Sequence, residues 1–573
     1  MVKRWEVLPL APDCYRASFS DLPPLLVQIL YNRQLHDAKE ARSFLDRSFA
    51  ADNPFQILGM HEAVARLRRA IRAGETIAVY GDYDVDGVTA TALLVPTLQA
   101  LGAKALPYIP KRLEEGYGLN REALSELAGK GVRVVVTVDC GVRSLDECVY
   151  AQQLGLDLII TDHHAVGQEL PPAVAVIDPR QEGHKYPYAH LAGVGLAYKL
   201  AQALLRAESQ VPVSKSPVGL QPNNMLDLVA LGTVADLAPL TGENRALVWQ
   251  GLQLLKETTR PGLVAMLKEA GISPDRVDSG TIGFVLGPRL NAAGRLDDAM
   301  ESYNLLTTAS PEEAASLALS LRNRNVERQQ LMADMVNHAR QAVRVTGDER
   351  IYVLADTSYL PGIAGLVASR ITEEFYRPSL VIALEEVQSK GSARSISGFH
   401  ITNALDECQD LLVRHGGHAL AAGFTVRNEN IEPLRAKMRE IAARELTEPD
   451  LVPVLKVDLV LPLTQANWDT MSLVDELQPF GIGNPRPVFL SPNVQVRGCR
   501  SVGSGERSGL KMVLSDGASV WDAIAFGQAA QPEQVPRNID VVYTLQSRLW
   551  NNEHRMELVV KDWRPAANEM LPS

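Results

Sequence analysis

At 573 residues the chain is too long for a single core, and its length predicts about three to four domains. With 46% hydrophobic and 22% charged residues it reads as globular; no apolar run approaches the roughly 20 residues of a membrane span, and nothing apolar follows Met1-Val2-Lys3-Arg4 to make a secretory signal. A net charge of −11 offers nucleic acid no global attraction, so phosphate must meet a local basic groove or metals set among acids, while five scattered cysteines without C-x-x-C spacing argue against a zinc or disulfide framework and for a reducing cytoplasm.

Residues 1–58 carry helical patterns, at 22–35 and 38–45, and little chemistry. A helix at 62–73 then leads to an apolar, β-branched strand at 76–80, and further strands are predicted at 105–109, 132–138, 156–160 and 174–177. Strands alternating with helices predict a parallel sheet covered on both faces, with ligands at the carboxyl ends of the strands.

The first strand ends in Asp82-Tyr83-Asp84-Val85-Asp86-Gly87. Two carboxylates about 4 Å apart repel by roughly 4 kcal/mol at an effective dielectric of about 20, so such a cluster takes up protons or a hard divalent cation. An EF-hand loop begins with the same spacing, but its twelfth position would be Leu93 instead of Glu, and a strand precedes it where a helix should. The next strands end in Asp139-Cys140-Gly141, Asp162-His163-His164 and Asp178-Pro179-Arg180, which puts acids and two histidines at one sheet edge.

A helix at 225–237 carries Asp236 near a buried end, where metal ligation would satisfy it. The stretch 287–295, Gly-Pro-Arg-Leu-Asn-Ala-Ala-Gly-Arg, reads as a glycine-punctuated loop with two arginines. One long helical pattern over 311–345, with Arg322, Arg324, Arg328 and Arg340, reads as a connecting helix with a solvated basic side. A second α/β pattern follows, with strands at 351–354 and 378–384 and small-residue stretches at 391–395 and 416–423 that let backbone N–H groups approach an anion. Beyond 449, short strands at 454–463, 494–498, 511–514, 521–526, 541–545 and 555–560 predict a small β-barrel, with Trp468, Trp521, Trp550 and Trp563 read mainly as core.

The ordered set of Asp82 to Gly87, Asp139-Cys140-Gly141, Asp162-His163-His164, Gly232-Thr233-Val234-Ala235-Asp236 and Gly416-Gly417-His418 to Gly423 resembles the DHH phosphoesterase superfamily. Within it, from about residue 20 onward, the chain is similar to the RecJ single-strand-specific DNA exonucleases; the stretches 112–119, 288–295 and 479–485 add to the match. The chain is thus read as α/β: an N-terminal helical segment (1–58), a parallel-sheet DHH catalytic domain (59–305), a connecting helix (306–348), a second α/β, DHH-associated domain (349–449) and an OB-like β-barrel that binds nucleic acid (450–573).

The resemblance implies two divalent ions, Mn²⁺ or Mg²⁺, held by Asp82, Asp84, Asp86, Asp139, His163 and Asp236, with Asp139 as the bridge. It implies in-line hydrolysis of a phosphodiester by an activated water, with His164 donating to a phosphate oxygen and Arg289 and Asn291 orienting the phosphate, or else buttressing their loop. A 5′ phosphate would be captured by Arg112, Tyr117, Ser392, Arg394 and His418. The expected activity is 5′-to-3′ degradation of single-stranded DNA to mononucleotides in recombination and repair, by a cytoplasmic monomer working with single-strand-binding protein and a helicase and with no membrane partner.

Two other readings remain open: the same core acting on cyclic dinucleotides or short oligonucleotides, and a non-catalytic replication scaffold. The barrel argues against the first and the intact acid set against the second. The chain departs from the family pattern at Tyr359-Leu360-Pro361-Gly362, where Trp-His-x-Gly is common, and at Ser508-Gly509-Leu510-Lys511, where a histidine often precedes the Leu-Lys pair. No large domain is expected after the barrel.

Overall fold

The run Thr76–Gly81 is buried along nearly its whole length, which a strand achieves only when helices cover both faces of its sheet. In a computed structural model, which describes residues 3–49, 53–112, 114–116, 118–210, 221–503, 508–527, 531–550 and 553–566, it lies inside a five-stranded sheet. The order is Lys104–Tyr108, Thr76–Gly81, Val132–Val138, Asp157–Thr161, Ala175–Ile177, and all neighbours are parallel. The chain starts in the second position, turns outward to Lys104–Tyr108, then crosses back to Val132–Val138. The order therefore reverses between Thr76–Gly81 and Val132–Val138, and an open α/β sheet offers its ligand crevice at such a switch point. Asp82 to Asp86 and Asp139 follow these two strands directly.

The chain divides into two compact units, Phe49–Leu451 and a unit made of Met1–Ser48 with Val452–Ser573. The first contains both α/β domains and the helix Pro311–Thr346 between them. Its second sheet runs Leu412–His418, Ala421–Arg427, Gln388–Arg394, Ser379–Ala383, Tyr352–Asp356, and only the last two strands are parallel. Ala421–Arg427 and Leu412–His418 form a hairpin, so the small-residue stretch 416–423 spans the hairpin's end.

In the other unit, the strands Phe489–Val502, Gly509–Ser515, Val520–Phe526, Glu553–Pro565 and Asn538–Trp550 form a barrel that closes by pairing the last with the first. Trp521 and Trp563 pack partly buried against its core, whereas Trp468 is 48% exposed. Trp550 lies in a strand whose side chains there are outside the described set. No helix among the described residues is long and apolar enough to cross a membrane.

Three elements differ from expectation. The stretch read as a loop at 287–295 is the helix Gly287–Leu296, which continues from a π-helical turn over Ile282–Leu286. Its glycine serves packing instead of turning: a Cβ on Gly294 would stand 2.4 Å from the Tyr83 carbonyl oxygen, so only glycine lets this helix lie against the aspartate loop. The N-terminal segment, read as helical, also holds the strand Arg4–Val7, which pairs in parallel with Val454–Val457. Four residues are too few to show a period of two.

The connecting helix does not present a solvated basic side. Arg324 bridges Asp297 and Glu301 at 2.8 and 2.7 Å, Arg340 bonds Glu374 at 2.8 Å, and Arg328 is buried against Asn325. Arg324 and Arg340 fasten the helix to its neighbours, while Arg328 bonds Asn325 within the helix itself.

Candidate metal centre and strand-binding cavities

The helix Val85–Ala100 starts directly on the end of the Thr76–Gly81 strand, since a Cβ on Gly87 would lie 2.5 Å from both the nitrogen and oxygen of Asp82. Asp84 caps that helix, its Oδ1 accepting from the amides of Asp86 (2.9 Å) and Gly87 (3.1 Å). Asp86 is gripped from the opposite side by the N-terminus of the helix Gly193–Gln210, with Gly193 N–H and Val194 N–H donating to its two oxygens at 2.6 and 2.8 Å. Asp139 takes a left-handed conformation, φ +65, rare outside glycine and asparagine.

His163 Nε2 then lies 2.9 Å from Asp139 Oδ1, 3.7 Å from Asp86 Oδ2 and 3.9 Å from Asp236 Oδ2. Ligand atoms fall into groups within 4.8 Å: Asp82, Asp84 and Asp139; Asp86, His163 and Asp236; and Asp139 with both histidines. Asp139 thus belongs to more than one group. All six residues assigned to metal in the sequence come together here.

The donor set fits divalent cations on a direct observation. Asp82 Oδ1, Asp139 Oδ1 and His163 Nε2 are buried without a hydrogen bond among the described residues, the 2.9 Å approach of the last two lacking hydrogen-bond geometry, an expensive arrangement unless an ion completes it. Electrostatics agree. Burial first, and then neighbouring carboxylates, hold Asp82, Asp139 and Asp236 well above the ordinary range, and lift Asp86 to about 7 despite the Gly193 and Val194 amides. Burial, followed by the charge of His164, presses His163 down to about 3, so it stays neutral and able to ligate. Mixed oxygen and imidazole ligation suits Mn²⁺ and tolerates Mg²⁺.

A carboxyl whose folded pKa is raised favours the native state at low pH and loses that contribution as pH climbs, for Asp86 between its ordinary 3.8 and about 7. Metal-free protein should therefore weaken between pH 5 and 7.5, and saturating Mn²⁺ should raise the thermal midpoint several degrees more at pH 7.5 than at pH 5. Equal shifts in differential scanning fluorimetry would contradict this electrostatic picture.

Beside the cluster, Asp162 organises the two histidines. It accepts from Val142 N–H (2.9 Å), His163 N–H (2.8 Å) and His164 N–H, and its Oδ1 lies 2.7 Å from His164 Nδ1. Burial alone would lower His164, but the Asp162 bond and the charges of Asp162, Asp82 and Asp84 outweigh it and hold the imidazole above its usual range. The sequence offered Asp162 as part of the triplet but no reason to give it a separate role; its fan of amides exists only in the folded loop.

The two residues expected to orient phosphate separate. Asn291 Oδ1 accepts from Val85 N–H at 3.2 Å, bracing the aspartate loop. Arg289 instead donates to the Val285 carbonyl one turn back (2.7 Å), and burial and then its charged neighbours Arg322 and Glu269 set its environment, with no site carboxylate among them. That bond runs to its own helical stretch, while Arg289 Nε is buried without a hydrogen-bond partner among the described residues. The other arginine of the stretch, Arg295, donates to the Gly362 carbonyl at 3.1 Å, and burial, Arg112 and Arg328 disfavour its charge.

Two cavities open nearby. One of about 300 Å³ is lined by Tyr83, Arg112, Pro361, Gly362, Ser392 and Arg414, among others. Arg112 stacks on the Tyr83 ring at 4.8 Å. Arg394 is not among the lining residues but lies beside Ser392 against Gly365, whose Cβ would meet Arg394 Nη2 at 3.1 Å and Ser392 Oγ at 3.5 Å. Burial and the repulsion of Arg112 both disfavour the Arg394 charge, a tension an anion relieves. Tyr117 lies outside the described residues.

His418 does not join this group; it lines a second cavity of about 490 Å³ with His164 and Asp162. Where the family pattern would put a histidine, Leu360 caps the helix Pro361–Phe375, and the neighbouring Tyr359 hydroxyl lies 3.0 Å from His338 Nδ1 of the connecting helix.

Comparisons with known proteins agree with this architecture. Residues 76–233 match the DHH family, N-terminal domain, 348–444 the DHHA1 domain and 457–562 the RecJ OB domain. The chain is 38% identical over 569 residues to the single-stranded-DNA-specific exonuclease RecJ of Bacillus subtilis, covering 98% of this chain and 70% of that protein. It is 34% identical over 573 residues to the protein of that name from Escherichia coli, covering 95% and 96%. The crystal structure of RecJ from Thermus thermophilus in complex with Mn²⁺ matches with a TM-score of 0.83 at 31% identity, covering 98% of this chain and 79% of that one. The Mg²⁺ complex of that protein matches at 0.77 and 30%, covering 98% and 78%.

Proposed function

Because the chain belongs to the RecJ family of single-stranded-DNA-specific exonucleases, we infer that it is a metal-dependent nuclease that shortens single-stranded DNA from the 5′ end, releasing 5′-mononucleotides, in recombination and repair. The observation that carries this reading is the group of six ligands around Asp139, with unpartnered buried donors aimed into it. Asp82, Asp84, Asp86, Asp139, His163 and Asp236 would hold the metals. Bound there, divalent ions supply charge neutralisation for the scissile phosphate and lower the pKa of the attacking water.

The protein's own groups do the rest. Asp162 holds His164 Nδ1, which directs the other ring nitrogen's proton toward a phosphate oxygen as negative charge develops. Asn291 keeps the start of the aspartate helix in place. The P–O3′ bond breaks, so the released nucleotide keeps the 5′ phosphate that Arg112, Ser392 and Arg394 bind, and strand polarity follows from that capture. The OB domain adds grip that tolerates any sequence. We carry the division at 59–305, 306–348 and 349–449, a monomeric cytoplasmic chain, and cooperation with single-strand-binding protein and a helicase as parts of the same proposal.

The test incubates the protein and Mn²⁺ or Mg²⁺ with a single strand labelled at either end, the matching duplex and a cyclic dinucleotide, using Asp84→Ala as control. Loss of label from the 5′ end of the single strand first, with duplex intact, is expected. Loss of the cyclic dinucleotide with the strand untouched would overturn the reading, and intact substrates with tight strand binding would favour a scaffold.

For the phosphate cavity, Arg394→Ala should raise KM on 5′-phosphorylated strands by about 10–100-fold, the value of one charge-assisted contact. Strands ending in a 5′ hydroxyl should change little, and Mn²⁺ affinity not at all. An equal fall on both ends would remove Arg394 from the phosphate site.

A further inference from the structure

The face of the second sheet that floors the 300 Å³ cavity carries more positive charge than the capture of one phosphate uses. Side chains alternate along a strand, so the pairing register sorts this face into rows. Arg394, Ala421 and His418 form the first, Ser392, Gly423 and Gly416 the second, and Lys390, Thr425 and Arg414 the third. Each row lies about 7 Å from the next, two residues at about 3.4 Å each. Arg414 Nε–H donates to Thr425 Oγ1 at 3.3 Å, which keeps that side chain on this face. His418 lines the cavity of His164 and Asp162 beside the metal ligands, so the third row lies on the far side of Ser392 from the metals. A strand that ended in one phosphate at Ser392 would leave it without a ligand.

Lys390 and Arg414 line the cavity with Arg112, and no aspartate or glutamate is among its described lining residues. Neither side chain pairs with a carboxylate among the described residues, whereas His415 in the same wall is tied to Asp406 Oδ1 at 2.7 Å. A 5′ monophosphate carries at most about two negative charges, which Arg112 and Arg394 already match. The space exceeds it too: about 300 Å³ is roughly ten waters at about 30 Å³ each, and one phosphate takes the place of about four. A Cβ on Gly416 or Gly423 would meet nothing within 4 Å, so the floor between the rows is bare. A chain of phosphates fits both surpluses, since it adds charge and bulk in one direction away from the sugar.

We propose that Lys390 and Arg414 bind the second and third phosphates of a strand whose first nucleotide still carries a 5′ triphosphate, the end left by chain initiation instead of by cleavage. The inference rests on capture of the 5′ phosphate by Arg112, Ser392 and Arg394 and extends that site outward. No additional bond breaks: water still cleaves P–O3′, and the first nucleotide leaves with its triphosphate intact.

The test follows fluorescence anisotropy of Mg²⁺-loaded protein with a single strand ending in a 5′ triphosphate, a 5′ monophosphate or a 5′ hydroxyl, its linkages made phosphorothioate to resist hydrolysis. The triphosphate strand should bind at least about tenfold more tightly than the monophosphate strand, the worth of one added charge-assisted contact. Lys390→Gln combined with Arg414→Gln should erase that advantage, and Lys390→Arg, which keeps the cation, should retain it. Either glutamine substitution alone should narrow the advantage and serves if the double variant does not fold. Equal binding of the triphosphate and monophosphate strands by wild-type protein, or an advantage that survives the double substitution, would overturn the proposal while leaving the capture of one phosphate standing. Monophosphate and hydroxyl strands that bound alike would remove that capture and this extension with it. Because the titration reads binding, neither result bears on whether the protein hydrolyses the strand.

Discussion

Asp139→Asn protein should fold normally and lose at least about 10³-fold in kcat on single-stranded DNA, because the substitution keeps the shape of the residue and removes the charge that joins the ligand groups. Asparagine accepts the left-handed backbone at φ +65 more readily than almost any other residue, so the loop after Val132–Val138 survives the change. What disappears is the anionic oxygen 2.9 Å from His163 Nε2, in a residue that also reaches the Asp82 and Asp84 carboxylates. The metal-free variant should melt at a higher temperature than the metal-free parent, since the charge removed is buried and repelled by Asp86, Asp84, Asp236 and Asp82. Degradation rates of an end-labelled strand, paired with thermal melts in a chelator, measure both effects. A variant that kept more than a tenth of the activity would show that the bridge is dispensable.

Gly193→Ala is expected to be nearly as damaging, although the residue contributes no side chain. Its Cβ would stand 2.6 Å from Asp139 Cβ and 2.9 Å from Cγ, so the methyl group must displace either the Asp139 carboxylate or the helix whose first amides hold Asp86. A misplacement of about 1 Å in a catalytic constellation costs about 10²-fold in rate. The comparison is Gly195→Ala, where the nearest atoms belong to the Leu191 side chain at 3.3 Å and can give way. Activity of Gly193→Ala should fall about 100-fold with Mn²⁺ affinity weakened in parallel, while Gly195→Ala stays within about threefold of the parent. Equal effects of the two substitutions would trace the loss to the helix as a whole and not to contact with Asp139.

Much of this centre was legible in the sequence, for a physical reason. In a parallel sheet each functional residue sits just past the end of an apolar strand, so Asp82, Asp139 and His163 announce themselves by position once the strands are seen. Repulsion among Asp82, Asp84 and Asp86 demanded a cation before any fold was known. What stayed hidden depends on contacts between distant segments. Gly294 looks like a turn residue, yet it permits a close-packed helix against Tyr83. Arg289 sits in a motif beside Asn291, but 3.6 residues per turn sends one side chain toward Arg322 and the other to Val85. His418 and Ser392 come from strands of one sheet that are separated by Ala421–Arg427, and they line different cavities. Arg324 and Arg340 read as solvated because their partners, Asp297, Glu301 and Glu374, lie outside the helical pattern.

We propose a two-ion centre joined by Asp139. Anomalous diffraction from crystals soaked in Mn²⁺ tests it most directly. Two peaks flanking the Asp139 carboxylate are predicted, one beside Asp82 and Asp84 and the other beside Asp86, His163 and Asp236. A single peak, or any strong peak held without Asp139, would contradict it.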